Sequence, residues 1–189
     1  DYVFFDSGFF VLLLRFFKNI NVQKLSGYKF LDFYFNYLKI NKKKIFSIDP
    51  NKELSNSYRL FFKKKIKIKS FHYIAPKYNS RIKINKNLIK RIHDSKAKEI
   101  IINIGGGTQE ILGYYLSKKL NKKYKIVCTG AAIAFFTGDQ SPINNNIDKL
   151  YLGWLFRIIY NPKIFLPRYL SAFKLFFLFI RKKNTISLH

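Results

Sequence analysis

Short apolar runs alternate with longer segments of mixed polarity from the start of the chain to Gly138. The runs predict β-strands at residues 1–5, 44–48, 66–74, 99–104 and 124–129. Helices are predicted between them at residues 9–18, 30–38, 52–63, 86–93 and 108–120. This alternation predicts an α/β fold with a Rossmann-like, mostly parallel sheet flanked by helices. Right-handed crossovers then place the loops that follow the strands along one edge, where such folds bind ligands.

The pattern changes after Gly138, where strand-like runs end and the sequence becomes helical, Phe-rich and basic. We therefore predict an α/β core at residues 1–138 and a C-terminal helical basic appendage at residues 139–189. Cations such as Arg157, Arg168 and Lys174 are interleaved with Phe and Leu, which is typical of a helix on a membrane surface. Apolar residues lie nearly all round this helix, so a buried core or dimer helix is the alternative.

Composition narrows the class of protein. The chain has 189 residues, of which 48% are hydrophobic and 19% aromatic, and this excludes a disordered chain. Its net charge of +26 indicates an anionic partner, although an AT-rich coding bias would also raise the lysine content. The lysines are scattered and no nucleic-acid motif accompanies them, so we expect an acidic ligand or a membrane face and no nucleic acid.

Cysteine and histidine content excludes two kinds of site. Cys128 is the single cysteine, so no intramolecular disulfide can form, and three dispersed histidines predict no metal site. No segment has the apolar length of a membrane span, and none has the pattern of a signal peptide. The chain contains no Met, so Asp1 is not expected to be the native start, and an upstream part is expected to be missing.

The first candidate site is the segment IINIGGGTQE, residues 101–110. Glycines between a buried strand and a helix allow backbone N–H groups to approach an anion, which the helix N-terminus also attracts. The spacing matches neither the dinucleotide fingerprint nor the P-loop. Gln109 could hydrogen-bond a uracil, a sugar hydroxyl or a phosphate, and Glu110 could cap the helix. The alternative is a tight turn without a ligand.

The second candidate is Asp6, at the end of the first predicted strand in the segment FFDSGFF. A carboxylate at the ligand edge of a sheet could act as a general base, with apolar neighbours raising its pKa. An Asp before a helix is more often its N-cap, so a capping role for Asp6 is the alternative.

Three motifs occur in an order that resembles one enzyme family. The segments INIGGGTQE, TGAAIAFFTG and LGWLFRIIYNPKIFLPRYL are similar to the ordered signature of the WecG/TagA/CpsF glycosyltransferases. The segment at residues 4–31 resembles the upstream region of that family more weakly. The resemblance covers nearly the whole chain, and its C-terminal half is the more specific.

The resemblance implies a bacterial inverting glycosyltransferase that needs no metal cofactor. It would transfer N-acetylmannosamine or a related hexose from a UDP-sugar donor to a polyprenyl-diphosphate-linked acceptor, for surface polysaccharide synthesis at the cytoplasmic face of the inner membrane. The basic tail would bind the anionic membrane, and a homo-oligomer is compatible with the family.

Carried over by position, Asp6 is the expected base. The expected substrate-binding residues are Lys24, Gly105, Gly106, Gly107, Thr108, Gln109, Gly130, Ala131, Arg157 and Arg168.

The chain also departs from the family pattern. Lys24 replaces an Arg, Lys29 an Asp, Gly153 the Glu before Trp154, and Ala134 the Asp of an F-D-F segment. A Lys keeps the charge of an Arg but lacks its bidentate fork. The family has a preceding strand and helix that help to build the donor site, and we expect this part to be missing from the given sequence. These departures keep two other functions open, namely a non-catalytic peripheral membrane relative and, less favoured, a basic nucleic-acid-binding protein.

Overall fold

The computed structural model describes residues 2–78, 86–139, 155, 158–159 and 162–181. The chain divides into two compact units. The larger comprises Gly27–Pro142, and the smaller comprises Asp1–Ser26 together with Ile143–His189. The predicted boundary after residue 138 stays a prediction.

The larger unit alternates strands and helices around one sheet. Its elements are α2 (Gly27–Ile40), β1 (Ile45–Asp49), α3 (Lys52–Phe61), β2 (Ser70–Ile74), α4 (Lys86–Ser95), β3 (Glu99–Ile102), α5 (Thr108–Lys119), β4 (Lys125–Cys128) and α6 (Ala134–Thr137). A π-helical turn, Phe62–Ile66, follows α3, and a 3-10 turn, Gly130–Ile133, precedes α6.

The sheet has the order β2-β1-β3-β4, and all of its strand pairs are parallel. Every residue of β1 and β3 is buried, as expected for parallel strands covered on both faces. The predicted α/β class and parallel sheet flanked by helices are therefore confirmed.

The two faces of the sheet have separate apolar cores. On one face, Phe46, Ile100 and Ile102 pack with α4 and α5, for example with Ile92 and Leu116. On the other face, Ile45 and Ile101 pack with Phe35 of α2 and with Tyr58 and Phe61 of α3. These layers fix the positions of the loops at both ends of the strands.

Two strand predictions need correction. The predicted strand at residues 1–5 is wrong for its described part, because residues 2–5 form no strand and Tyr2 is 92% exposed. They pair with none of the four strands of the described sheet. The strand predicted at residues 66–74 begins only at Ser70, since Ile66 closes the π-helical turn and Lys67 has a left-handed φ of 61°.

The smaller unit contains two described helices, α1 (Gly8–Lys18) and α7 (Pro162–Arg181). Phe17 of α1 and Phe176 of α7 meet edge to face, with ring centroids 5.2 Å apart. The helix α7 confirms the helical character predicted for residues 162–181 of the tail. Among the helices of the described residues, none combines the length and the apolarity that a membrane crossing requires.

Candidate functional site

The carboxyl ends of β1 and β3 define the candidate site in the larger unit. From β1 the chain crosses to β2 on one side and then to β3 on the other, so the strand order reverses between β1 and β3. Such a reversal opens a crevice between the loops that follow the two strands, where open α/β sheets bind ligands. The glycine turn, defined as Gly105–Gly107, follows β3 at this edge.

The glycine turn leaves open space above its backbone. A Cβ added to Gly105, Gly106 or Gly107 would meet no heavy atom within 4 Å, and all three residues are exposed. Gly107 has a φ of 84°, a conformation that favours glycine, and it precedes the first residue of α5. The Gly107 N–H donates to Glu110 Oε2 at 2.5 Å, which confirms that Glu110 caps the helix.

Gln109 joins this turn to the one that follows β4. Its Oε1 accepts a hydrogen bond from the Gly130 N–H at 2.6 Å, and its Nε2 donates to Glu110 Oε1 at 2.8 Å. The side chain is nearly buried, with 8% of the residue exposed. Gln109 therefore uses both ends of its amide within the protein and holds the two turns in a fixed relation.

The start of α2 reaches the same turn after β4. A Cβ added to Gly27 would lie 3.2 Å from the Ala132 Cβ and 3.9 Å from the Thr129 carbonyl oxygen, so glycine permits this close approach. Ala131 is exposed here, whereas the Thr129 hydroxyl is buried and has no hydrogen-bond partner among the described residues.

The sequence around both turns lacks cationic side chains. Residues 103–117 and 126–139 contain neither Lys nor Arg. The groups that these two segments offer to an anion are therefore backbone N–H groups and the N-terminus of α5, which has 12 residues. Cationic side chains would have to come from other parts of the chain.

A buried polar cluster lies beneath this edge of the sheet, on the face covered by α2 and α3. The Asp49 carboxylate accepts hydrogen bonds from Ser47 Oγ at 2.6 Å, from Asn103 Nδ2 at 3.2 Å and from His72 Nδ1 at 2.7 Å. Asn103 Nδ2 also donates to Ser47 Oγ at 2.9 Å. The cluster therefore links the carboxyl-terminal parts of β1, β2 and β3 through side chains.

Sequence reasoning missed this cluster, although a signal was present. Ser47 and Asp49 alternate with Phe46 and Ile48 in β1, which places both polar side chains on one face of the strand. His72 in β2 is the register partner of Ser47. Polar residues with a period of two in otherwise apolar strands indicate such a cluster.

A tyrosine of α3 belongs to the same face. Burial, followed by the nearby charges of Asp49 and Asp139, raises the pKa of Tyr58 above its usual value. Its hydroxyl is buried and, within the described part of the chain, has no hydrogen-bond partner. Tyr58 is therefore a neutral phenol at physiological pH.

Two of the predicted site residues lie close in the smaller unit. The Leu25 N–H donates to the Phe5 carbonyl at 3.0 Å, which brings the segments of Lys24 and Asp6 together. Asp6 is exposed and Lys24 half-buried. The capping alternative for Asp6 is wrong, because Ser7 is the N-cap of α1 and its Oγ accepts from the Phe10 N–H at 3.3 Å.

The remaining predicted residues fall into two groups. The turns of the larger unit bring together Gly105, Gly106, Gly107, Thr108, Gln109, Gly130 and Ala131. Arg168 lies in α7, but its side chain is outside the described part, and Arg157 lies outside the described residues altogether. In the part of the chain that is described, no three His, Cys, Asp or Glu side chains are grouped as metal ligands would be.

Comparison with known proteins adds one finding. The family model described as "Glycosyl transferase WecG/TagA/CpsF family" matches residues 1–187, which is nearly the whole chain. No curated protein matches the sequence.

Proposed function

The chain belongs to the WecG/TagA/CpsF family of glycosyl transferases, and from this premise we propose that it transfers a sugar from a UDP donor with inversion at the anomeric carbon. The donor sugar is N-acetylmannosamine or a related hexose, and the acceptor is a polyprenyl-diphosphate-linked sugar used in surface polysaccharide synthesis. The observation that carries the proposal is the open glycine turn at the carboxyl edge of the sheet, which Gln109 ties to Gly130.

The donor diphosphate lies over the glycine turn. No Cβ obstructs Gly105 or Gly106, so phosphate oxygens can approach the backbone N–H groups there. The N-terminus of α5 adds a favourable interaction of about 0.3–1 kcal/mol with a nearby anion. Gln109 acts as a positioning residue, since its amide is already bonded to Gly130 and Glu110.

Asp6 is the general base of the proposed reaction. The acceptor hydroxyl oxygen attacks the anomeric carbon while its proton passes to the Asp6 carboxylate. The bond between the anomeric carbon and the diphosphate oxygen breaks, and its electron pair leaves with UDP. The N-cap of α1 is Ser7, so the base role of Asp6 does not compete with capping of this helix.

Cationic side chains stabilise the departing diphosphate. The segments around the turns after β3 and β4, residues 103–117 and 126–139, contain no Lys or Arg. We assign the cationic role to Lys24, Arg157 and Arg168. The basic tail also binds the cytoplasmic face of the inner membrane, where the lipid-linked acceptor resides. No metal ion takes part in the proposed mechanism.

A UDP-release assay with UDP-N-acetylmannosamine and a polyprenyl-diphosphate-linked acceptor tests the proposal. We expect acceptor-dependent UDP release, and we expect Asp6→Asn to lower kcat by about 10²–10⁴ while the donor affinity changes little. Asp94→Asn, an exposed carboxylate near the end of α4, is the matched control and should keep full activity.

Two outcomes contradict the proposal in different ways. Full turnover by Asp6→Asn would exclude Asp6 as the base while leaving the transferase activity in place. Donor binding by the wild-type chain without any transfer would instead support the non-catalytic alternative.

A further inference from the structure

The exposed lysines of the larger unit are concentrated at one end of its sheet. The loops and turns that lead into the four strands, together with the first residue of β4, carry thirteen lysines. All thirteen are exposed, and we call this surface the basic edge. Its members are Lys42, Lys43, Lys44, Lys63, Lys64, Lys65, Lys67, Lys69, Lys96, Lys98, Lys122, Lys123 and Lys125. Because the strands are parallel, all of these lysines lie at the amino end of the sheet.

The opposite edge has a different charge. The described residues that follow the strands, up to the first turns of the next helices, hold Lys52, Lys77 and Lys86 together with Glu53, Glu110 and Asp139. A coding bias towards lysine would place lysines at both edges alike. Coding bias therefore does not explain the concentration of lysines at the amino end.

Helix dipoles do not balance this charge either. Helices α2, α3, α4 and α5 end at the basic edge, and each C-terminus carries about half a negative charge, or about two charges in total. Asp94 is the exposed carboxylate near this edge, and Glu99 is buried with its Oε1 3.8 Å from Lys125 Nζ. Most of the thirteen lysine charges remain uncompensated.

Exposed apolar side chains occur at the same end of the larger unit. Ile40, the last residue of α2, is 79% exposed, and Leu60, next to the last residue of α3, is 52% exposed. They adjoin Lys42–Lys44 and Lys63–Lys65 in the sequence. A purely charged ligand would gain nothing from them, whereas a partner with its own apolar side chains would bury them.

The direction of the strands places the basic edge away from the candidate site. β1 has five residues, which corresponds to about 16 Å between the two ends of the sheet. A membrane bound at the basic edge would therefore face away from the glycine turn. The separation of the two edges therefore excludes the membrane that carries the acceptor as the occupant of the basic edge. This exclusion rests on the proposed function, in which the acceptor is lipid-linked.

Nucleic acid fits the surface less well than protein does. Residues 41–44, 62–69, 96–98 and 120–125 contain no Arg, and their aromatic residues, Phe62 and Tyr124, are buried. The surface thus offers neither bidentate contacts to phosphate nor stacking platforms for bases.

We propose that the basic edge docks an acidic protein segment that carries apolar side chains between its carboxylates. The lysines attract the carboxylates, and Ile40 and Leu60 contact the apolar side chains. The docked segment leaves the carboxyl edge of the sheet open to substrates.

Fluorescence anisotropy with labelled synthetic peptides tests this inference in about 0.15 M NaCl, where long-range attraction between exposed charges is screened. One peptide alternates Leu with pairs of Glu, and a second carries the same number of Glu residues with Ser in place of Leu. A DNA duplex and phosphatidylglycerol vesicles serve as the other probes. We expect saturable binding that is strongest for the Leu-containing peptide.

Two sets of variants locate the binding surface. The triple variant Lys63→Gln, Lys64→Gln, Lys65→Gln should weaken binding of the Leu-containing peptide by about tenfold. The control Lys52→Gln, Lys77→Gln, Lys86→Gln removes the same net charge elsewhere and should change it by less than about twofold. Ile40→Ser with Leu60→Ser should abolish the preference for Leu over Ser.

Several results would overturn the inference. Equal affinity for the two peptides, or tighter binding to DNA or to vesicles, would show that the surface does not select an acidic protein segment. An equal loss in both triple variants would show that net charge alone governs binding. Because none of these measurements involves donor or acceptor, their failure is distinct from a failure of the proposed transferase activity.

Discussion

Replacing Asp49 by Ala tests whether the buried polar cluster stabilises the fold beneath the candidate site. The carboxylate is fully buried and accepts hydrogen bonds from Ser47, His72 and Asn103. In the variant, Ser47 and Asn103 keep the hydrogen bond between them, but His72 Nδ1 loses its partner.

The expected cost follows from these contacts. Each buried polar group left unsatisfied costs about 1–3 kcal/mol. We expect Asp49→Ala to lower the free energy of unfolding by about 1–3 kcal/mol, a sizeable part of the roughly 5–15 kcal/mol typical of a folded protein.

Urea unfolding followed by circular dichroism measures this change. The midpoint should fall for Asp49→Ala, whereas Asp94→Ala, on the exposed surface of α4, should change stability by less than about 0.5 kcal/mol. Adding His72→Leu to Asp49→Ala removes the orphaned ring, so the double variant should lose less stability than the sum of the single variants. A loss below about 1 kcal/mol for Asp49→Ala would refute the account of the cluster.

Three further predictions concern the residues around α5. Burial, followed by the charge of Glu110, raises the pKa of the Cys128 thiol to about 11, although much of the residue's surface is exposed. At about pH 8 the native chain should therefore react with iodoacetamide more slowly than the unfolded chain, and the rate should rise as the pH approaches about 11. Equal rates would contradict this. Gly113→Ala should destabilise the fold by about 1–3 kcal/mol, because the new Cβ would lie 2.7 Å from Cys128 Sγ. Adding Cys128→Ala should restore most of this loss, and thermal unfolding measures both changes. Gln109→Ala should weaken UDP binding by about tenfold or more, since it frees the Gly130 N–H and the turn after β4. The control Gln23→Ala, at an exposed position of the smaller unit, should bind UDP as the wild type does. Calorimetry measures both affinities.

The alternation of apolar runs was sufficient to predict most of the larger unit. Strands β1, β3 and β4 and helices α2 to α5 form where periodicity places them, because their apolar faces are those that a parallel sheet buries. The segment at residues 2–5 has the composition of a strand, but pairing depends on a neighbour that the local sequence does not encode. The start of β2 was predicted too early. Lys67 takes a left-handed φ before the strand, but as a lysine it gives no sequence signal of this conformation, whereas a glycine would.

The candidate site could be predicted only in part for a similar reason. Glycines after a strand reveal the turn, and Glu110 three residues after Gly107 reveals its cap. The contact between Gln109 and Gly130, and the link from Asp49 to Asn103, join residues that are distant in sequence. Such contacts depend on strand order, which the alternation of apolar runs does not determine.

Amide chemical shifts during a UDP titration test the central claim most directly. If a nucleoside diphosphate binds over the glycine turn, the amides of Gly105, Gly106 and Ala131 should shift saturably, while those of Lys63–Lys65 at the basic edge stay unchanged. Absence of any shift at millimolar UDP, or shifts confined to the basic edge, would contradict the claim that this turn is the donor site of a glycosyltransferase.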